Sequence, residues 1–258
     1  MPEIVTPTAD RSGPWVMHMR WRELLFMHWP IPADLLRPMI PPPLELDTFA
    51  GSAWLGIVPF VMSDVRLRGS PAIPGAASFP ELNVRTYVTL GDRPGVWFFS
   101  LDAASRVAVR AARLLWHLPY FDARMSATAD DHRVEYQSTR THRHAPPARL
   151  MLHYRPVGVA QPTTAGSLEY FLTARFCLYS ATRRGQVFRG DVDHAPWPLQ
   201  PAEADIQVNG MTEQIGISLP PQPPLLHFSR SLDVVAWRIR KAAVGTDRRL
   251  IPGSAASP

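Results

Sequence analysis

Leu82, Val84, Thr86 and Val88 alternate with Glu81, Asn83, Arg85 and Tyr87, the period-two pattern of a strand with two distinct faces. Residues 53–62 and 96–101 are near-continuous apolar runs, suited to strands buried on both sides. Residues 133–140, 149–155 and 168–180 read as further strands, with Phe171, Thr173, Arg175, Cys177 and Tyr179 sharing a face in the last. Helices are fewer. A short one is expected over 34–39, after Pro32 and before Pro41, and a long one over 103–117. The long helix would take Asp102 as its N-cap, carry Val107, Ala111, Leu114 and Leu115 on one side, and stop before Pro119. A further helix is expected over 232–243. The sum is mainly β (α+β): an antiparallel barrel or curved sheet sheltering one long helix and a few short ones.

Composition narrows this picture. The 258 residues suffice for one well-buried core, and the 28 prolines, spread along the chain, argue for many short strands rather than long helices. Residues 1–13 and 245–258 are rich in small residues and proline and read as mobile tails around a single domain at 14–244. With 46% apolar and 19% charged residues the balance is globular. No apolar run reaches the roughly 18 residues of a membrane span, and the N-terminus lacks the basic start and apolar core of a secretory signal. Cys177 is the single cysteine, so neither an internal disulfide nor zinc-finger spacing is available. A cytoplasmic protein is expected. Of the 27 basic residues all but Lys241 are arginine, and they are dispersed rather than gathered on one tail, which argues against nucleic acid as partner.

Several stretches, met in order, resemble the acetoacetate decarboxylase superfamily. Arg20-Trp21-Arg22-Glu23-Leu24-Leu25-Phe26 looks like its first strand, with Arg22 at the position of an active-site arginine. Leu35 to Asp47, through Ile40-Pro41-Pro42-Pro43-Leu44-Glu45, is similar to its helix and strand entry. Phe79-Pro80-Glu81-Leu82-Asn83-Val84 matches the strand that provides an active-site glutamate, at Glu81. The segment from Ser100 to Tyr120 resembles the strand, helix and proline that precede the nucleophilic lysine; here Tyr120 follows Pro119 in the lysine's place. Within the superfamily, the stretches around Leu172 to Tyr179, Asp193 to Leu199 and Leu226 to Arg230 resemble the YqjF-like family. Imine chemistry needs a primary amine of depressed pKa. A phenol cannot supply one, and residues 53–62 hold no acid to stand for the superfamily's second glutamate. The resemblance therefore implies the fold without its decarboxylase chemistry.

The same residues have plainer readings. Arg22 would hold a carboxylate through its planar fork, or else pair with a structural acid such as Glu23. Glu81 beside an apolar wall would act as acid or base, or else form an ion pair with Arg85. Tyr120 would donate to a substrate carbonyl, or merely fill the lysine's space. Arg85, His117 and Arg175 are expected near the ligand, and His194 and Trp197 at the pocket mouth. His142, His144 and His153, or Asp191, Asp193 and His194, have zinc-like spacing, yet they sit among loop and strand-end signals, so no metal is expected. Cys177 in an aromatic strand reads as a small core residue, with Arg175 placed to lower its pKa if it were a nucleophile.

The chain is thus expected to bind a small molecule, a carboxylate among the candidates, without a cofactor. Glu81 and Tyr120 would carry lysine-independent acid–base chemistry on a small carbonyl or carboxylate compound. A non-catalytic ligand binder or sensor is the alternative. So is an interaction subunit with a closed pocket, its Trp15, Trp21 and Trp29 buried between copies. Assembly into a homo-oligomer is expected; membrane and nucleic-acid partners are not.

Overall fold

The computed structural model describes residues 13–71, 77–130 and 132–242. Of the tails expected at 1–13 and 245–258, only Gly13 falls within the described residues. Strand β1 (Met17–Ile31) leads through helix α1 (Ala33–Leu36) to β2 (Glu45–Leu46), β3 (Ala53–Leu67), β4 (Ser78–Leu90) and β5 (Arg93–Ala103). Helix α2 (Arg106–Leu115) precedes β6 (Tyr120–Ala129), β7 (Val134–Arg140), β8 (Arg149–Pro156) and β9 (Gln161–Pro162). Helix α3 (Leu168–Thr173) precedes β10 (Cys177–Ala181), β11 (Val187–His194), β12 (Pro198–Asn209), β13 (Leu225–Ala236) and β14 (Arg240–Lys241). No described helix is long and apolar enough to cross a membrane.

The strands form one 14-stranded sheet that closes on itself twice. In one ring β5, β4, β3, β1, β13, β11 and β10 pair in turn, and β10 returns to β5. In the other, β6, β7, β8 and β12 connect β5 to β13. Pairing is antiparallel except where β5 meets β6 and β10. Strands β13, β1, β3, β4 and β5 are therefore a shared wall with a core on each side, which is why residues 53–62 read as apolar throughout. Phe26, Val58, Phe60, Tyr87 and Leu101 face the first core. Leu25, Met27, Leu55, Ile57, Leu82 and Val84 face the second. Burying one such side chain contributes about 1.5–3 kcal/mol, so both faces of each shared strand are held in register.

Four expectations fail. Asp102 does not cap α2; it lies in β5, fully buried, and takes two hydrogen bonds from Arg140 at 2.7 and 2.9 Å. Ser105 is the cap, accepting from the Ala108 N–H at 3.2 Å. The face of α2 is also reversed: Val109 is buried, while Val107, Leu114 and Leu115 are 56, 76 and 57% exposed. The small residues Ala108 and Ala112 pack beside Val109, letting the helix lie close to the sheet where leucines would hold it off. Residues 168–180 are not one strand. Ser167 accepts from the Tyr170 N–H at 3.2 Å and starts α3, so Phe171 and Thr173 are helical while Cys177 and Tyr179 belong to β10. Last, 232–243 is not helical where described. Leu232, Val234 and Ala236 are alternate buried residues of β13, packed into the first core.

Candidate functional site

The route to the site begins at the end of α2. Trp116 caps the helix, His117 takes a left-handed φ of 51°, and Pro119 leads into β6, whose first residue pairs in parallel with Leu101 of β5. This turn aims the Tyr120 ring into the first core. Glu81 of β4 lies between Phe60 on β3 and Ala103 on β5. The Tyr120 hydroxyl reaches both Glu81 carboxyl oxygens at 3.0 Å. Glu81 is 2% exposed and Tyr120 8%. Burial pushes the Glu81 carboxyl up to about 8, and the hydrogen bond from Tyr120 only partly opposes it. The same burial, and then the nearby carboxylate, raise the Tyr120 phenol well above its ordinary value. Burial thus favours the uncharged form of both partners.

Alternation along β4 continues the same face through Asn83 and Arg85 to Tyr87. Arg85 donates through Nη2 to the Leu172 carbonyl at 3.3 Å and the Tyr87 hydroxyl at 3.4 Å, with its guanidinium 5.2 Å from the Phe26 ring. No pair with Glu81 forms. His28 of β1, fully buried, lies 2.6 Å from the Tyr87 hydroxyl through Nε2. Because that hydroxyl donates its one proton to the Leu172 carbonyl at 2.8 Å, the network makes Nε2 the protonated nitrogen of His28 and leaves Nδ1 an acceptor. Burial, then the Arg85 charge, hold His28 well below its usual pKa. Among the buried polar atoms on this face without a hydrogen-bond partner among the described residues are Asn83 Oδ1, Arg85 Nε and His28 Nδ1. Buried polar atoms normally find partners, and these three share one wall.

The other expected residues divide. Arg175 is buried, donates to the Phe171 carbonyl at 2.7 Å and to Asp47, and lies over the Tyr87 and Phe171 rings at 4.9 and 4.3 Å. It braces the wall behind Arg85. Trp197 is buried, donates to the Thr173 carbonyl at 2.9 Å, and packs 4.9 Å from Phe26 and 5.7 Å from Trp21. His194 stacks on Phe176 at 4.7 Å, and burial lowers its pKa. The His117 ring lies 5.0 Å from the Phe188 ring. Arg22 does not join. A bulge at Glu23, whose φ is 50°, sets the stretch from Arg22 to Met27 against Val61 to Ile57 on β3. One extra residue reverses which side of the wall a side chain faces, so Phe26 and His28 point in while Arg22, opposite Val61, is exposed on the other side from Glu81.

Trp29 is buried in the second core and Trp21 packs on Trp197, so neither is a free aromatic for assembly. Of the residues with zinc-like spacing, His142 pairs with Asp122 at 2.9 Å and Asp191 with Arg240 at 2.8 Å. Cys177 is buried, and that burial pushes its thiol up to about 11 against the lowering pull of Arg189 and Arg175. Lys241 is exposed in the short strand β14. Asn83 and His28 escaped the sequence reading. Asn83 sat on the Glu81 face of the alternation, and His28 was a lone polar residue in an apolar run.

Residues 18–233 match the DUF2071 family profile, described as "Uncharacterized conserved protein (COG2071)". The chain is 44% identical over 230 residues to the uncharacterized protein YqjF of Bacillus subtilis (strain 168), covering 89% of this chain and 94% of that protein. Among solved structures it is similar to an acetoacetate decarboxylase from Legionella pneumophila, with a TM-score of 0.59, 14% identity, and 94% and 92% of the two chains covered. It is also similar to the enduracididine biosynthesis enzyme MppR complexed with pyruvate, with a TM-score of 0.60, 13% identity, and 89% and 91% covered.

Proposed function

This chain belongs to the DUF2071 family, on an acetoacetate decarboxylase-like fold, and from that premise we propose that it binds a small keto or hydroxy acid and works on it by lysine-independent acid–base chemistry. The observation that carries the reading is the Glu81–Tyr120 pair, a carboxyl with its pKa near 8 hydrogen-bonded to a phenol that follows Pro119 where the superfamily's lysine would stand. Such a carboxyl can give or take a proton near neutral pH, as general acid–base catalysis requires. The phenol can donate to an oxygen that gains negative charge.

Arg85, rather than Arg22, is the arginine on that face. Its free Nε–H suits a carboxylate or carbonyl oxygen, and the acceptors Asn83 Oδ1 and His28 Nδ1 suit a hydroxyl or enol proton. A relative of the same fold holds pyruvate, a small keto acid. Arg85 would orient the acid group, Asn83 and His28 the hydroxyl, Tyr120 would polarise the reacting oxygen, and Glu81 would move the proton. A binder or sensor without turnover would use the same wall.

A thermal-shift panel of small keto, hydroxy and unsaturated acids tests the reading on wild type, Arg85→Gln and Arg22→Ala. A ligand at about 100 times its dissociation constant adds about 2.7 kcal/mol. The shift is expected to vanish in Arg85→Gln and persist in Arg22→Ala. No shift with any acid, or a shift lost only in Arg22→Ala, would overturn the assignment. Turnover of the binding acids that is lost in Glu81→Gln and Tyr120→Phe separates enzyme from sensor.

A further inference from the structure

Tyr120 is held from two directions. Its hydroxyl meets Glu81, and its backbone carbonyl accepts from Arg113 Nη1 at 2.6 Å. Arg113 also lines a cleft of about 520 Å³ at the surface, together with Arg106, Arg110, Asp122, His142 and Arg143. Arg106, Arg110 and Arg113 are spaced i, i+4, i+7 on α2 and so form one stripe along the helix. The turn after β7, which carries His142 and Arg143, forms the facing side.

The charges in this cleft do not balance. Arg110 holds Asp122 with two hydrogen bonds, at 3.1 and 2.8 Å, and His142 sits 2.9 Å from the same carboxylate. Asp122 is thereby spent on partners within the fold. Neither Arg106 nor Arg143 has a hydrogen-bond or ion-pair partner among the described residues. Four guanidinium groups thus share one concavity with a single carboxylate. Arginine forks match the paired oxygens of phosphates and carboxylates, and the volume lies in the roughly 300–1,000 Å³ range of small-molecule sites. A cleft of this size suits one compact ligand rather than a length of nucleic acid.

We propose that the cleft is a binding site for a small polyvalent oxyanion, a phosphate or polycarboxylate compound, seated behind Tyr120 and separate from the interior acid–base wall. Arg106 and Arg143 grip the anion, and Arg113 links its charge to the backbone that carries the tyrosine. The site stands whether or not the interior pair is catalytic.

Isothermal titration with pyrophosphate and with citrate, at constant ionic strength, tests it on the full chain. One probe at least is expected to bind saturably at one site, and the double variant Arg106→Ala/Arg143→Ala to weaken that binding tenfold or more. Both side chains are exposed and unpaired, so the variant should keep the wild-type near-ultraviolet circular dichroism. Arg155→Ala, which removes an exposed partner of Glu203 elsewhere, controls for general charge and should bind as wild type. Pyrophosphate alone binding would assign a phosphate ligand, and citrate alone a polycarboxylate. Failure of both probes, equal binding by the double variant, or oligonucleotide binding that tightens with strand length would overturn the proposal.

Discussion

Replacing Glu81 by glutamine removes a buried carboxyl and leaves an amide oxygen to accept from the Tyr120 hydroxyl. In the unfolded chain the carboxyl titrates near its ordinary value of 4.5, and in the folded protein at about 8. Between those values the folded state keeps a proton that the unfolded state has released. The stabilisation is complete below the unfolded pKa and is lost as pH rises through the folded one. The slope is about 1.4 kcal/mol per pH unit and the cumulative loss roughly 5 kcal/mol, since the group is buried and unscreened. Urea unfolding of wild type and Glu81→Gln at steps between about pH 5 and 8.5 measures this directly, because other titrating groups cancel in the difference. The variant's stability relative to wild type should climb steadily with pH and level off above 8. A difference that stays constant across the range would place Glu81 in an ordinary solvated setting and contradict the raised pKa. In Tyr120→Phe the bond that favours the carboxylate is gone, so the levelling should move to higher pH.

Two further outcomes follow from the geometry. Arg140→Met strands the fully buried Asp102 without its bidentate partner and should cost about 3–5 kcal/mol in urea unfolding at neutral pH, most of it recovered when Asp102→Leu is added. A loss below about 1 kcal/mol would show that water reaches the pair. The Cys177 thiol, buried with a pKa of about 11, should resist a disulfide reagent such as DTNB at about pH 8 until the protein is unfolded; prompt reaction of the native protein would contradict its burial.

The fold class, most of the strands and the place of Glu81 on an alternating strand are legible in the amino-acid sequence. Those rest on local patterns: Glu81, Asn83, Arg85 and Tyr87 alternate with apolar residues, and Tyr120 follows Pro119. Its reading of Cys177 as a small core residue agrees with the burial, and the strand windows at 53–62 and 96–101 lie inside β3 and β5. What it could not determine was facing. The apolar stripe of α2 is as periodic as any buried one, yet Ala108, Val109 and Ala112 pack inward because only small residues let that helix lie against the sheet. Arg22 and His28 are both even-numbered residues of β1, but the extra residue at Glu23 sends them to opposite sides of the shared wall. Asp102 looked like a helix cap until Arg140, far along the chain, reached it. Alternation and propensity are set by near neighbours and are written in the sequence. Which face of a strand or helix meets the core is set by bulges and by partners distant in the chain, and only the closed sheet decides it.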